Sequence, residues 1–355
     1  MARRDALQQR LFSAFVTAIE LQSVHLGRRL GYYDGLAADG PATAKQLATR
    51  TSTDARYARE WLEQQAVAGL LDVVAGSTPA SRRYALPAGF HEVLQDAASL
   101  RFVGFAAQMS AALGKQADAL VTAYRTGDGI SWGRYGPDMR EAQADQNKAF
   151  LLDAFAEQFL RAVPGLHRRL RTRTSRVADL ACGVGWAGLA IAKAYPKARV
   201  DGLDLDRPAI AQARRNAEAM HLQDRVRFHA RDAASPALVG QYDLVVMVEA
   251  LHDLAKPIPV LRAARQLLRP GGRVLIVDEN VPDSFQAPGS ELDRLFYGFS
   301  VLACLPNGRA DTPSAATGTV MRPATVETYA RRAGFRAFKV VSTGHDFFRL
   351  YDLAA

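Results

Sequence analysis

The chain has 355 residues, of which 48% are hydrophobic and 23% charged, and arginine dominates the residues that give its net charge of +9. The length allows two domains, no apolar run reaches the 18 residues of a membrane span, and two cysteines indicate a reducing, cytoplasmic environment instead of a disulfide framework. Because the basic residues are dispersed and form no long block, the charge alone does not indicate a nucleic-acid-binding surface.

The first predicted element is an amphipathic helix. Its apolar residues recur at helical spacing, at Leu7, Leu11, Ala14, Phe15 and Ala18. Polar residues interrupt this stretch and no small-residue cleavage site follows it. The sequence therefore predicts a helix of the folded protein and not a signal peptide.

Two further helices and two short strands are predicted next. One helix is expected over residues 43–50 and a second over residues 54–68, with Thr53 as its N-cap and Gly69 ending it. The strands are "LLDVV" and "RRYALP", which a polar turn joins. This order is typical of a winged helix-turn-helix and gives a predicted first domain over residues 1–98.

Residues 99–170 are predicted to form a helical segment that contributes to a substrate pocket. The segment is rich in aromatic residues, and the stretch "RTGDGISWGRYGPD" interrupts it with glycines and a proline, as expected of a loop that closes over a site. The side chains expected to line the pocket from this segment are Trp132, Tyr135, Met139, Gln143 and Asn147.

From residue 175 the pattern alternates between strands and helices. Strands are predicted at 176–181, 199–204, 226–230, 242–248 and 273–278, with helices between them at 185–194, 207–220 and 257–268. Such alternation predicts a parallel sheet with helices on both faces. The C-terminal stretch "FRAFKVVSTGHDFFRLYDL" predicts an antiparallel hairpin at the sheet edge, with His345 facing solvent in its turn.

The fold class is therefore α/β. A doubly wound, mostly parallel, seven-stranded Rossmann-like sheet is predicted over residues 171–355, with an antiparallel C-terminal hairpin. A mainly helical winged-helix domain precedes it.

The stretch "VADLACGVGWAG" carries a nucleotide-binding signature. Gly183, Gly185 and Gly188 form the pattern G-x-G-x-x-G, which NAD, FAD and S-adenosylmethionine sites can all show. Asp179 lies four residues before Gly183. A carboxylate there is unfavourable beside a pyrophosphate and favourable beside the cationic amino-acid end of S-adenosylmethionine, so this acid favours the latter cofactor.

Further acids are expected where the next strands end. Asp204 ends the strand in "VDGLDLD" and is predicted to accept hydrogen bonds from the ribose hydroxyls, next to Leu205. Asp232, in "FHARDAAS", is predicted to accept one from the adenine amino group, next to Ala233. Glu249 follows the fourth strand, close to the expected cofactor.

These motifs, in this order, resemble those of the class I S-adenosylmethionine-dependent methyltransferases. The family's first motif, D-x-G-x-G-x-G, corresponds to residues 179–185, with Ala181 in place of the first glycine, and "GLDLD", "RDA" and "LLRPGG" match later motifs. The resemblance implies S-adenosyl-L-methionine as the cofactor. It implies that Asp179, Ala181, Gly183 and Gly185 contact that cofactor.

A winged-helix-like domain ahead of this fold resembles the small-molecule O-methyltransferases of plants and of bacterial secondary metabolism. That resemblance implies a homodimer formed through the N-terminal domain, no contact with DNA, and methyl transfer to a small, largely apolar or aromatic molecule. Oxygen is the expected methyl acceptor, with nitrogen and carbon left open. His252, in the "HD" pair after the fourth strand, is the implied general base, and Glu249 is a second candidate catalytic residue.

The segment "LDRLFYGFSVLACLP" is expected to complete the substrate pocket with three aromatic residues, Phe296, Tyr297 and Phe299. No metal site is predicted, because Glu249, His252 and Asp253 lie close together in sequence and their side chains need not converge.

Two other functions stay open. A winged-helix regulator that senses S-adenosylmethionine or a metabolite would explain the first domain, although Glu60 and Glu63 accompany Arg56 and Arg59 on the expected recognition helix. A methyltransferase fold that binds the cofactor but catalyses another reaction, such as a decarboxylation or a cyclisation, is also compatible with the motifs.

Overall fold

The computed structural model describes residues 2–234 and 241–355. Their contacts divide the chain into two compact units. The first comprises the chain up to Lys115 together with Pro137–Ala149, and the second comprises Gln116–Gly136 together with Phe150–Ala355. The domain boundaries 1–98, 99–170 and 171–355 stay a sequence-based prediction.

The first unit consists of helices and one small hairpin. Its helices are α1 (Ala2–Arg29), α2 (Tyr32–Asp39), α3 (Ala44–Thr51), α4 (Ala55–Val67), α5 (Phe90–Leu94) and α6 (Phe105–Gly114). Strands β1 (Asp72–Ala75) and β2 (Arg83–Ala85) pair antiparallel, as predicted. The core of this unit is built around Trp61, whose ring packs against the rings of Tyr32 and Tyr33 at centroid distances of 4.8 and 5.1 Å.

Helix α4 begins one residue later than predicted, so Thr53 is not its N-cap. The N-cap is Asp54, whose carboxylate accepts hydrogen bonds from the backbone N–H groups of Arg56 and Tyr57 at 2.8 and 3.1 Å. A charged acceptor at this position satisfies two free N–H groups and complements the helix dipole. The Thr53 hydroxyl instead lies 3.0 Å from the hydroxyl of Tyr32.

The second unit alternates helices and strands. Its helices are α7 (Ala117–Thr126), the first turn of α8 (Trp132–Ala149), α9 (Leu166–Thr172), α10 (Trp186–Ala194), α11 (Arg207–Ala219), α12 (Pro257–Leu267), α13 (Glu291–Phe299), α14 (Leu305–Gly308) and α15 (Pro323–Arg332). Helix α8 is broken at Gly136, where φ is 81°, and continues from Pro137 in the first unit. A π-helical segment (Phe150–Leu160) follows α8, a short π-helical turn (Ser300–Cys304) follows α13, and a 3₁₀ turn (Leu251–Asp253) precedes α12.

Seven strands of the second unit form one mixed sheet. They are β3 (Ser175–Leu180), β4 (Ala198–Asp204), β5 (Val226–Ala230), β6 (Tyr242–Val248), β7 (Leu268–Glu279), β8 (Ala337–Val341) and β9 (Phe348–Ala354). Their spatial order is β5-β4-β3-β6-β7-β9-β8, with the first five parallel and β9 antiparallel to both of its neighbours. The predicted fold class is confirmed, and β7 extends the predicted strand 273–278 toward the N-terminus.

Both faces of this sheet are covered. Val177 and Ala178 are consecutive and fully buried, and they belong to separate hydrophobic clusters. Because successive side chains of a strand point to opposite faces, the two clusters lie on opposite sides of the sheet. Parallel strands of such a sheet all end at one edge, which here brings together the loops that follow Leu180, Asp204 and Val248.

Within the residues that the structure describes, no helix combines the length and the apolar content needed to span a bilayer.

Candidate active site

The loop after β3 is tightly packed on one side and open on the other. A Cβ atom added to Gly185 would lie 2.4 Å from Cζ of Phe228, and one added to Gly202 on β4 would lie 2.4 Å from Cδ1 of the same ring. A Cβ added to Gly183, by contrast, meets no atom within 4 Å among the described residues beyond its chain neighbours. Glycines therefore let Phe228 pack under the loop, while the space beside Gly183 is available to a ligand.

Ala181 stands where the methyltransferase motif has its first glycine, and it adopts a left-handed conformation with φ 54°. This conformation costs a residue with a Cβ about 1 kcal/mol or more. The backbone of the loop is thus kept in the glycine-like shape despite the substitution.

Asp179 is buried beneath this loop. Its Oδ2 accepts a hydrogen bond from the Gly188 N–H at 2.9 Å. Burial raises the pKa of Asp179 to about 7, against the effect of that N–H, and the nearby Asp204 charge adds to the increase. A cation beside Asp179 would stabilise its ionised form, as the sequence argument requires of the cofactor's amino-acid end.

Asp204 connects the end of β4 to the glycine loop. Its Oδ2 accepts from the Gly183 N–H and its Oδ1 from the Asp206 N–H, both at 2.8 Å. Burial raises the pKa of Asp204 although these N–H groups favour its ionised form. Each oxygen has a second lone pair, so the carboxylate is fixed in place and still able to accept from a diol. The neighbouring Leu205 is 70% exposed.

Asp232 and Ala233 lie directly after β5. The Oδ1 of Asp232 accepts from the Ala234 N–H at 2.9 Å, and Ala233 is buried. Because β4 and β5 are adjacent and parallel, Asp232 ends up on the same sheet edge as Asp204.

Glu249 and His252 follow β6 at this edge. Glu249 is buried with φ 47°, and its N–H donates to the Val277 carbonyl at 2.8 Å. His252 lies in the 3₁₀ turn and is only 2% exposed. Its Nδ1 is 2.6 Å from Oδ1 of Asp278, 26 residues away in sequence.

Two further carboxylates surround the same imidazole. The Nδ1 of His252 is 3.2 Å from Oε2 of Glu279, and its Nε2 is 3.4 Å from Oδ1 of Asp253. Burial alone would lower the pKa of His252, but Asp278, Glu279 and Asp253 raise it well above its ordinary value of 6.5. Burial likewise opposes ionisation of Asp278, yet the partner imidazolium holds the pKa of that carboxyl below its usual range.

Sequence reasoning missed Asp278, Glu279 and Cys304 as neighbours of His252. A signal for the first two is present in "VLIVDEN", where two acids end a strand that is otherwise apolar. Because β6 and β7 are adjacent and parallel, acids at the end of β7 arrive beside the turn that follows β6.

The predicted substrate residues fall into separate groups. In the second unit, Tyr135 is buried and its hydroxyl donates to the Leu302 carbonyl at 2.9 Å, and the Trp132 ring lies 6.1 Å from it between centroids. Burial raises the pKa of Tyr135, and the nearby Cys304 and Asp253 raise it further. Since Asp253 also contacts His252, this phenol lies close to the His252 cluster.

Phe296 is buried and packs against Phe347 at a centroid distance of 5.0 Å. Tyr297 is 37% exposed, and Phe299 is half-buried. The remaining predicted residues share one face of α8 by their spacing of four, and they belong to the first unit: Met139, Gln143 and Asn147.

The loop predicted over residues 125–138 is shorter in the structure, because α7 extends to Thr126 and α8 begins at Trp132. The remaining residues, 127–131, are anchored to a later part of the second unit. The Arg309 guanidinium donates to the Gly127 carbonyl at 2.6 and 2.9 Å, and the Ile130 N–H donates to the Pro306 carbonyl at 2.9 Å. These bonds hold the loop against the segment that follows α13.

The prediction that His345 faces solvent is wrong. Its ring stacks on Phe348 and contacts Phe150, at centroid distances of 5.3 and 5.0 Å. Its Nδ1 accepts from the N–H groups of Phe347 and Phe348, and burial lowers its pKa. The hairpin turn folds back onto the π-helical segment, so this histidine is a structural, neutral acceptor.

One arginine and both glutamates of the expected recognition helix are paired within the first unit. Arg56 contacts Glu60 at 2.5 Å, and Glu63 contacts Arg82 at 3.1 Å. Such pairing leaves fewer positive charges for phosphates than the sequence composition suggests, and the regulator alternative is not favoured.

A doubly wound sheet with a glycine loop after β3, and with acids within β3, at the end of β4 and after β5, is the architecture of a class I, S-adenosylmethionine-binding methyltransferase domain. Two family models match the chain: a methyltransferase domain over residues 178–274, and an Rv2258c-like winged HTH domain over residues 18–95. The chain therefore carries a methyltransferase domain behind an N-terminal winged HTH domain, and these matches support an S-adenosylmethionine-dependent methyltransferase.

Individual proteins that are similar to this chain in sequence or in fold are also methyltransferases. The ubiquinone biosynthesis O-methyltransferase of Pseudomonas aeruginosa is 27% identical over 180 residues, which cover 50% of this chain and 72% of that protein. The mitomycin 7-O-methyltransferase MmcR shares the fold with a TM-score of 0.74 and 21% identity, over 99% of both chains. The structure of PigF with SAH gives a TM-score of 0.73 and 22% identity over the full length of both.

Proposed function

We propose that this enzyme methylates a hydroxyl group of a small, largely apolar or aromatic molecule, with His252 as the general base. The observation that carries the proposal is the 2.6 Å contact between His252 Nδ1 and the buried Asp278 Oδ1. O-methyltransferases among the proteins of similar sequence and fold support oxygen as the acceptor.

S-adenosylmethionine supplies the electrophilic methyl group and the driving force of the reaction. Asp204 is proposed to hold the ribose hydroxyls, and Asp179 the cationic amino-acid end. The space beside Gly183 is open to such a ligand, since no atom of the described residues, apart from Gly183 and its two chain neighbours, lies within 4 Å of a Cβ built there. Glu249, Leu205, Asp232 and Ala233 complete the proposed cofactor contacts.

The proton of the substrate hydroxyl has to leave as the oxygen attacks. Asp278 accepts the hydrogen bond of Nδ1–H, which leaves Nε2 as the nitrogen that receives the proton. The three surrounding carboxylates raise the pKa of His252 and so make it a stronger base. A phenol has a pKa of about 10, and a base of raised pKa narrows the difference between the two groups.

The test measures transfer of the labelled methyl group from S-adenosylmethionine to a panel of phenols of graded acidity. His252→Gln is expected to lower kcat by about 10²–10⁴ for weakly acidic phenols and much less for phenols already ionised at the assay pH. His229→Gln, a half-buried histidine on β5 outside the site, is the matched control and should retain activity.

The pH profile gives an independent measure of the same role. Because the neutral imidazole is the active form, kcat/KM should rise with pH through the raised pKa of His252. Asp278→Asn removes one carboxylate and should shift that rise to lower pH. Equal losses for all phenols and an unmoved pH profile would show that His252 is structural. Substrate consumption without labelled product would instead favour the non-methylating alternative.

We also propose that the enzyme is a homodimer formed through the first unit. Helix α1 exposes a row of large apolar side chains, namely Leu7, Leu11, Phe12, Phe15, Val16 and Ile19, each between 41% and 62% exposed. Such a continuous apolar row on one helix is typical of an interface, and a second copy of α1 offers the same surface in return. Sedimentation of wild type and of a Phe12→Glu, Phe15→Glu variant should give a dimer and a monomer, and a monomeric wild type at micromolar concentration contradicts the proposal.

A further inference from the structure

The two nitrogens of His252 face different surroundings. Nδ1 lies against Asp278 and Glu279, and Nε2 lies 3.4 Å from Oδ1 of Asp253. Cys304, from the π-helical turn after α13, is the third member of a cluster with His252 and Asp253, and it is half-buried. One ligand atom from each of His252, Asp253 and Cys304 lies within 4.8 Å of the other two.

The carboxylate of Asp253 is only partly satisfied. Cys304 and Asn307 hydrogen-bond this carboxylate, but its buried Oδ1 has no hydrogen-bond donor among the residues that the structure describes. The nearest charged group, Nε2 of His252 at 3.4 Å, does not meet hydrogen-bond geometry, so the water that this buried oxygen gave up is only partly replaced. A cation placed between Oδ1, Nε2 and the thiol would compensate it.

These donors form the ligand set of a soft or borderline divalent metal. Zinc binds imidazole nitrogen, thiolate sulfur and carboxylate oxygen, and in a tetrahedral site the donor atoms are about 3.3–3.7 Å apart. The 3.4 Å between Nε2 and Oδ1 already meets this requirement. On the opposite side of the ring, Asp278 accepts from Nδ1–H, which is the carboxylate–histidine arrangement that orients a metal-ligating imidazole.

We propose that Nε2 of His252, Sγ of Cys304 and Oδ1 of Asp253 form a binding site for Zn²⁺ and similar divalent ions, and that its occupation inhibits methyl transfer. Binding releases the thiol proton and the Nε2 proton of the imidazolium to solvent, and an exchangeable water takes the fourth position. Inhibition rests on the proposed role of His252, because the metal occupies the nitrogen that would receive the substrate proton. The binding itself does not depend on that role.

Cobalt(II) is the probe for the site, because a thiolate bound to Co²⁺ gives a charge-transfer absorption band in the near ultraviolet. Metal-free, full-length protein is titrated with Co²⁺ and then with Zn²⁺, which should displace the cobalt and abolish the band. Wild type and Cys182→Ser, which lacks the other cysteine, should both show the band. Cys304→Ser should lose it and bind Co²⁺ at least about tenfold more weakly. A wild type without the band, or a Cys304→Ser variant that retains it, overturns the proposal.

A second measurement decides the matter if Cys304→Ser does not fold. In the wild type, Zn²⁺ should slow alkylation of Cys304 and leave that of Cys182 unchanged, as mapped by mass spectrometry of peptides. Equal rates with and without Zn²⁺ refute the site. The inhibitory part is tested by adding Zn²⁺ to the methyl-transfer assay, where loss of activity is expected in the wild type. Retained activity at saturating Zn²⁺ refutes inhibition. Whether the metal binds at this site is decided separately by the cobalt titration.

Discussion

Replacing Asp179 by asparagine should stabilise the protein when no cofactor is bound. Burial raises the pKa of this carboxyl from 3.8 to about 7. Because one pK unit corresponds to about 1.4 kcal/mol, ionised Asp179 costs the folded state about 4 kcal/mol above pH 7. Asparagine removes this charge and keeps an oxygen for the Gly188 N–H, so a net gain of about 2–4 kcal/mol is expected after the cost of burying its amide.

The gain has a defined dependence on pH. Below pH 4 the aspartic acid is protonated in the folded and unfolded states alike, and its ionisation contributes nothing. Between pH 4 and 7 the folded state holds a proton that the unfolded state has released, so the stability of the wild type falls as pH rises. The difference between Asp179→Asn and wild type should therefore grow over this range and level off above pH 7.

Thermal unfolding of cofactor-free protein between pH 4.5 and 8.5 measures this directly. A gain of about 2–4 kcal/mol corresponds to a Tm increase of about 4–16 °C for a unit of this size. Saturating S-adenosylmethionine should reduce the difference, because its positive charge stabilises the ionised wild-type carboxylate.

Asp243 provides a matched control with the opposite sign. It is a buried aspartate on the adjacent strand β6, and its carboxylate accepts from Arg169, from Arg269 and from the Arg176 N–H. Asp243→Asn leaves these arginines without a buried counter-charge and should lower the Tm. A Tm of Asp179→Asn that is below wild type, or an increase that does not change with pH, would refute the reasoning about Asp179.

Three further substitutions test the loop and its neighbours. Asp204→Ala removes a fixed, charged acceptor and should weaken S-adenosylhomocysteine binding about 10²–10⁴-fold in calorimetry. The control Glu218→Ala, at an exposed position on α11, should leave this affinity unchanged. Retained binding by Asp204→Ala would contradict the ribose assignment. Gly202→Ala forces a Cβ against Phe228 and should cost about 1–3 kcal/mol in chemical denaturation, which Phe228→Leu in the same chain should largely restore. Ala181→Gly relieves a left-handed φ and should raise the Tm by a few degrees at most, since glycine also gains entropy in the unfolded chain; a lower Tm would contradict strain at this position.

The sheet was predictable because its signals are local. The central parallel strands are short, largely apolar runs with polar residues or glycines at or just beyond their ends, such as Asp204 at the end of β4 and Glu249 after β6, and this pattern does not depend on distant contacts. The winged-helix order was equally readable, and helix starts were displaced by one residue. Thr53 was predicted for Asp54 because two adjacent residues both favour the N-cap position, and Thr43, predicted as the first helical residue, is the N-cap of α3.

The surroundings of His252 were not predictable in the same way. Asp278 lies beside His252 because β6 and β7 are neighbours in the sheet. Cys304 lies there because the π-helical turn that follows α13 packs near the turn after β6. The burial of His345 depends in a similar manner on aromatic rings far from it in sequence. No local sequence pattern indicates such long-range contacts, because they depend on strand order and on the packing of whole segments.

A segment of the second unit, residues 116–136, precedes the last part of the first unit in sequence, which affects the order of folding during synthesis. Residues 116–136 emerge early, but the carbonyls of Val301 and Leu302, which accept from the hydroxyls of Tyr124 and Tyr135, emerge much later. At about 5–20 residues per second, a ribosome needs roughly 8–33 s to cover this interval. Throughout that time the hydroxyls of Tyr124 and Tyr135 lack the two carbonyls that accept their hydrogen bonds in the folded protein. A nascent chain that stalls in between presents this segment to chaperones and proteases, so the delay sets a window in which the yield of folded enzyme is decided.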